Sequence, residues 1–263
     1  MALTPFAVLP LALGTVATGN AAAATPATHL GEFNYRGMVW KSSGNSNLWV
    51  RGDFGTAKAI DFVSMMGANA LAGTQIRVRL GDSQAEVDGS VEGYDSGTVN
   101  FIAPAVTRQD GIYHSHLELP STQTRRWWRI DISGHTGDFS ASMLVMGLKV
   151  RPSRYYETNW TISNRDLGSL QFGRNGVPGI TTGAKLRALN YKLAWLTEAE
   201  AETMIAPLDD LTGRTTPMYL CFDPETTVYR QRRTFFGWNE EQPSLGKIGF
   251  NRFERTYQIL SLF

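Results

Sequence analysis

Between Val39 and Val150 the apolar positions recur with period two or in short runs bounded by Gly, Asn, Asp and Ser clusters. That is the pattern of strands rather than of amphipathic helices. Segments 38–41, 47–54, 59–66, 74–80, 98–102, 112–119, 126–132 and 142–150 are predicted as strands, and so many short strands predict a sandwich. In 75–80 the alternation is strict, with Ile76, Val78 and Leu80 on one face and Arg77 and Arg79 on the other. Segment 81–97 is acidic, contains glycine and has weak periodicity, so it reads as a long loop or loose hairpin. The sharpest pattern lies at 125–134. Trp128, Ile130 and Ile132 share a core face there, while Trp127, Arg129 and Asp131 line the other. This second face is either a binding face or a second buried one.

Arg151-Pro152-Ser153 ends the region, because proline cannot continue a central ladder. We place a domain boundary there, giving domains 1–152 and 153–263. Segment 155–183 is rich in Gly, Asn and aromatics and predicts strands joined by turns. Segment 185–196 alternates as a strand, with Leu186, Ala188, Asn190, Lys192 and Ala194 opposite Arg187, Leu189, Tyr191, Leu193 and Trp195. Thr197-Glu198-Ala199-Glu200 is a capping box, and Ala201, Met204, Ile205 and Leu208 follow at helical spacing. A helix is predicted near 197–206, bent or ended by Pro207. A turn at 211–213, a strand through Phe222, a turn at 223–225 and strands at 229–238 and 248–263 complete a second, β-rich domain of α+β type with one short helix.

Composition narrows the function classes. The chain has 263 residues and a net charge of +1, too weak a field to recruit nucleic acid or an anionic membrane. Its basic residues are mostly Arg, which favours planar, hydrogen-bonded pairing and leans toward interfaces. The lone cysteine, Cys221, lies in an apolar run and forms no intrachain disulfide. The apolar stretch 3–13 precedes the first Arg or Lys, Arg36, and is interrupted by Pro5 and Pro10. It reads as an extended β segment leading into the first domain rather than as a cleaved signal. No run approaches the roughly 20 apolar residues of a membrane span, so membrane insertion is not expected.

The order of pieces in the first domain resembles the discoidin-like, galactose-binding-like jelly roll. The matching stretches are Val39-Trp40-Lys41-Ser42, Asn47-Leu48-Trp49-Val50-Arg51-Gly52-Asp53-Phe54-Gly55, Ile60-Asp61-Phe62-Val63 and Gly67-Ala68-Asn69. Ile76-Arg77-Val78-Arg79, Arg126-Trp127-Trp128-Arg129-Ile130-Asp131-Ile132 and Leu144-Val145-Met146-Gly147-Leu148 follow. The resemblance implies a mainly β fold, a jelly-roll sandwich followed by the β-rich domain. It also implies a ligand approach at loops on one end, here 35–37, 42–47 and 109–113, with Tyr35, Arg36, Asn45, Asn47 and Tyr113 as carbohydrate-binding candidates. The second domain resembles minor tail proteins of long-tailed bacteriophages. The residues are Leu193-Ala194-Trp195-Leu196-Thr197-Glu198-Ala199-Glu200, Asp223-Pro224-Glu225, Tyr229-Arg230 and Arg252-Phe253-Glu254.

Catalytic chemistry finds little support in the residues. His114 and His116 share a strand face with Glu118, but zinc needs more ligands than a solvated strand face offers, and no metal or other cofactor is expected. There is no G-x-S-x-G elbow, Cys221 has apolar neighbours, and no Gly-rich loop has the strand-loop-helix context of a phosphate cradle. The adjacent pairs Asp209/Asp210 and Glu240/Glu241 read as turn and surface residues. No catalytic residue is assigned and the chain is not expected to be an enzyme. Trp127, Arg129 and Asp131, and Arg230, Arg232, Phe236 and Trp238 in a stretch too cationic for a core strand, are the interface candidates.

These readings combine into an expected structural component of a phage tail tip, a homo-oligomer that assembles in the host cytoplasm and docks with other tail proteins in a symmetric ring of the virion. The alternative is an adhesin that binds a bacterial surface glycan through the jelly roll. A third reading is an accessory module of a secreted polysaccharide hydrolase.

Overall fold

The computed structural model describes residues 3–89, 93–242 and 244–263. It is mainly β and divides into two compact units. One takes Val8–Lys149 and Glu225–Arg232, the other the residues up to Ala7 with Val150–Pro224 and Arg233–Phe263. Among the described residues no helix is long and apolar enough to cross a membrane.

The first unit is a jelly-roll sandwich wound from two long strands. Segments predicted as four separate strands merge into Trp49–Met66 and Leu117–Ser133, which pair antiparallel. Residues 55–58, the gap between two predicted strands, form a bulge, with Gly55 at φ 78° and register shifts between Asp53 and Lys58 and between Ile60 and Phe62. Bulges bend a strand and increase its twist. The first half of Trp49–Met66 therefore pairs with Thr15–Thr18, and its second half with Met143–Gly147. Gln75–Gly81 flanks Leu117–Ser133 on the far side. Between the bent layers lies one core that includes Trp40, Val50, Ile60, Val78, Trp128, Ile130 and Leu144.

The alternation at 126–132 holds: Trp128, Ile130 and Ile132 are buried, while Trp127, Arg129 and Asp131 are half-buried on the opposite face. Trp128 owes its place to Gly52, its cross-strand partner. A Cβ on Gly52 would lie 2.4 Å from the indole. The indole N–H donates to the Leu13 carbonyl at 3.2 Å, so the ring is both packed and satisfied.

Segment 81–97, read as a loop, holds a one-turn helix, Gln84–Asp88, capped by the Ser83 hydroxyl, and the short strand Tyr94–Asp95; residues 90–92 lie outside the described residues.

In the second unit one antiparallel sheet runs Met218–Cys221, Thr234–Asn239, Arg252–Ser261, Lys185–Leu196 and Thr161–Asp166. Lys185–Leu196 keeps its predicted bounds but changes phase near its end. Leu189, Tyr191 and Leu193 are buried, then a bulge places Trp195 at φ 63° and exposes it while Ala194 and Leu196 turn inward. The capping box at Thr197 and Glu200 forms as predicted. The helix does not stop at Pro207. A π turn over Ala201–Ile205 accommodates the residue that lacks an N–H, and Ala206–Thr212 continues to Gly213. The predicted strand 229–238 also differs, since Arg230–Arg233 is a 3-10 turn and only Thr234–Asn239 is strand. The cations thus stay outside the ladder, and Phe235 and Phe236 fill the core.

Candidate functional site

The polar-aromatic face of the first unit is assembled by strand register. Trp49 stands opposite Asp131, Arg51 opposite Arg129 and Asp53 opposite Trp127, with Arg77 and Arg79 next in line from Gln75–Gly81. Asp131 accepts from Arg79 Nη2 at 2.6 Å and from Arg129 Nε and Nη2 at 3.0 and 2.8 Å. Arg129 also donates to Asp88 at 2.6 Å, and Arg51 pairs with the same carboxylate. Asp88 comes from the one-turn helix, so that helix lies over the face. The Arg129 guanidinium stands 4.5 Å from the Trp49 ring centroid and Arg51 5.2 Å, both within cation–π range. Burial works against ionisation of Asp88, but the Arg129 hydrogen bond and the Arg51 charge hold its carboxyl below 3.8. Trp127 sits at the rim with the Arg126 guanidinium 6.0 Å from its ring. The face is closed by its own charges.

An open concavity of this unit lies elsewhere. A pocket of about 470 Å³ is lined by Asn69 to Ala72, Ile102, Ala105 to Thr107, Gly111 and Tyr113. Its walls are loops, and loops hold shape only when braced. Arg108 donates to Asp110 at 2.9 and 2.5 Å, and Asp110 in turn accepts the Ile112 N–H at 3.1 Å. The Arg108 hydrogen bond holds the Asp110 carboxyl down at about 2, against an opposing effect of burial. The Tyr113 hydroxyl accepts the Arg108 backbone N–H at 3.1 Å. Glu225–Arg232 supplies the outer brace. The Gln231 carboxamide accepts from the His114 N–H at 3.0 Å and donates to its carbonyl at 2.6 Å, and Arg230 donates to the Ala103 carbonyl. Asn69 is fixed by a bond to the Asp138 carbonyl at 2.8 Å and one from the Ser140 N–H at 2.8 Å.

Of the five carbohydrate candidates only Tyr113 lines this pocket; Tyr35, Arg36, Asn45 and Asn47 are exposed and lie off it. Among the interface candidates Arg230 braces the pocket loop, Arg232 is exposed, Phe236 is buried, and Trp238 is half-buried on the second unit's sheet. Sequence reasoning missed Asn69, Thr107 and Gln231. The bracing segment lies more than a hundred residues from the loop it holds, and nothing local signals that pairing.

His114 is not on a solvated face: it is 2 % exposed, and its Nδ1 accepts the Gly67 N–H at 3.1 Å. His116 meets Glu118 at 3.3 Å, and Glu118 also accepts from Lys149 at 2.9 Å. Among the described residues no group of three or more His, Cys, Asp or Glu could hold a metal ion. Cys221 is fully buried. Asp209 sits on a helix rather than in a turn and pairs with Arg255, which is 0 % exposed.

No protein-family model and no curated protein matches the chain. Solved structures do, each over about half of it. One is SpGH29, at 18 % identity over 52 % of this chain with TM-score 0.39, and this chain spans 27 % of that protein's length. Another is chitosan-binding module 1 of a chitosanase/glucanase from Paenibacillus sp. IK-5, at 15 % identity over 52 % of this chain and 97 % of that one, TM-score 0.36. A fucose binding module of Streptococcus pneumoniae aligns at 12 % identity over 53 % of this chain and 95 % of that one, TM-score 0.39. The two modules are named for the sugars they bind, and none of these three structures is a tail protein. The expectation of a phage tail-tip component is thereby corrected, together with its ring of homo-oligomers, its tail-protein partners and its virion location. The cationic stretch that suggested docking has intramolecular uses, since Arg230 and Gln231 hold the pocket loop.

Proposed function

We propose that the jelly-roll unit is a carbohydrate-binding module and that the braced loop pocket is its glycan site. The observation that carries this reading is the pocket itself, about 470 Å³ and braced by hydrogen bonds at Arg108, Gln231 and Asn69. Binding sites are concave, mostly apolar and largely pre-formed, with a few placed polar groups. Here Ala70, Leu71, Ile102 and Val106 supply apolar wall, and Asn69, Thr107 and the pocket backbone supply hydrogen-bonding groups. Bracing matters because a loop that is already ordered loses less entropy when a ligand arrives. The role is recognition, as in the alternative reading of the sequence, and it requires no catalytic group.

The test is a glycan array that includes fucose, chitotriose and Lewis b, followed by calorimetry on the full chain. Ala105 is exposed on the pocket wall, so Ala105→Trp fills the space without burdening the core. Binding should weaken by about tenfold or more, which corresponds to about 1.4 kcal/mol, with the urea midpoint unchanged. Glycan binding that is indifferent to Ala105→Trp removes the pocket from this role.

A further inference from the structure

The sheet of the second unit carries a row of polar side chains that the chain itself does not use. Thr161 stands opposite Asn190 and Asn190 opposite Gln258. Glu240 continues the row, its N–H donating to the Gln258 carbonyl at 2.8 Å. A parallel row runs Ser163, Ala188, Leu260 and Trp238. Partners directly opposite in a ladder present their side chains on the same face, so both rows look outward together. Small Ala188 leaves a hollow, and a groove of about 220 Å³ opens over Thr161, Ser163, Ala188, Asn190, Glu240 and Gln258.

Two features of this groove define the chemistry of an occupant. First, among the described residues the side chains of Thr161, Ser163, Asn190 and Gln258 have no hydrogen-bond partner, although they stand in one continuous patch. Second, the patch is electrically balanced, because Glu240 is paired with Arg165 at its end. Hydroxyls and carboxamides each offer both a donor and an acceptor. A ligand matched to such a row must also alternate donors and acceptors and carry no net charge. Strands spaced by about 4.8 Å repeat this pattern at a period close to the length of a sugar ring, and four strands span about 14 Å.

We propose that this groove is a saccharide-binding site, separate from the loop pocket, that takes a neutral oligosaccharide lying across the strands. Asn190 and Gln258 hold paired hydroxyls at its centre, and Thr161 and Ser163 hold the end over the sheet edge. The site does not depend on the loop pocket and stands or falls without it.

The experiment uses the full chain and an array of neutral gluco-, xylo-, manno- and chito-oligosaccharides, with each hit titrated by calorimetry against wild type, Asn190→Ala, Gln258→Ala and Ala105→Trp. Asn190 is exposed and Gln258 half-exposed, so these variants should fold, which urea melts confirm. The expected result is at least one oligosaccharide whose affinity falls by about tenfold or more in Asn190→Ala and Gln258→Ala and is unchanged in Ala105→Trp. An array without hits overturns the proposal. So do hits that respond only to Ala105→Trp, an outcome that leaves the loop pocket standing as the sole glycan site.

Discussion

Two faces of this molecule are built from the same vocabulary and differ in how far their side chains pair with one another. On the jelly-roll sheet, Trp49, Arg51, Arg129 and Asp131 make an aromatic-polar row across neighbouring strands, and Asp88 from a one-turn helix completes it. On the sheet of the second unit, Thr161, Asn190, Gln258 and Glu240 make another, with Trp238 beside it. In the first, Asp88 and Asp131 are both engaged by arginines of the same face. In the second the hydroxyls and amides find no partner in the described chain. Residue type along a strand therefore does not distinguish a structural face from a receptive one. Whether its side chains already pair within the chain does.

Buried ion pairs should be costly to break, and that of Arg255 with Asp209 holds a fully buried guanidinium. With Arg255 at 0 % exposure, Asp209→Ala would leave a buried guanidinium without its countercharge. Breaking such a pair costs about 3–5 kcal/mol. Alanine suits the helix that holds position 209, so helix propensity would not account for the loss. Urea unfolding measures it; a change of a few tenths would show that solvent reaches Arg255 after all. Next comes Asp88→Ala on the jelly-roll face, which strips Arg51 and Arg129 of their shared acceptor. Both arginines keep other contacts and some exposure, so the expected loss is about 1–3 kcal/mol.

The same carboxylate gives a pH signature. Asp88 in the folded chain lies below its ordinary 3.8. As the pH falls, the unfolded chain takes up that proton first, so the stabilisation is complete well above 3.8 and is lost as the pH drops through the lowered folded value. Asp88→Asn removes the titration and keeps the shape. The stability gap between wild type and Asp88→Asn should be widest at neutral pH and narrow below 3.8. A gap that does not change with pH would mean that the carboxylate acts by shape alone.

Half of the closed face is legible in the amino-acid sequence. Alternation places Trp128, Ile130 and Ile132 inside and Trp127, Arg129 and Asp131 outside, because period two is dictated by backbone geometry. Its cover has a fainter signature: Ser83-Gln84-Ala85-Glu86 is a capping-box sequence, and the Ser83 hydroxyl does accept the Glu86 N–H. One turn of helix has no periodicity to announce it, so the segment reads as a loop. The open face is hidden for a different reason. Alternation puts Asn190 with Ala188 and Lys192, but its companions come from strands near residues 161 and 258, and only register brings them together. Gly55 and Trp195 mislead in a third way, since a bulge resets the phase of a strand and looks in sequence like a gap between strands or a continuation. The loop pocket combines both difficulties, as its brace at Gln231 is remote and its walls have no period.

The smallest expected effect is the one that decides the comparison. If the Asn190 and Gln258 amides are unused by the fold, truncating either should leave stability within about 0.5 kcal/mol of wild type, as for surface positions free of special features. Their solvated amides exchange bonds with water in the folded and unfolded chain alike, so nothing is lost on unfolding that was gained on folding. Asn190→Ala and Gln258→Ala, measured by urea unfolding beside Asp88→Ala, give the contrast directly. Should Asn190→Ala cost as much as Asp88→Ala, the amide row would be holding the sheet together rather than awaiting a ligand. The two faces would then be the same kind of structure. A loss below about 0.5 kcal/mol, together with a loss of oligosaccharide affinity in the same variant, separates binding from folding at a single residue.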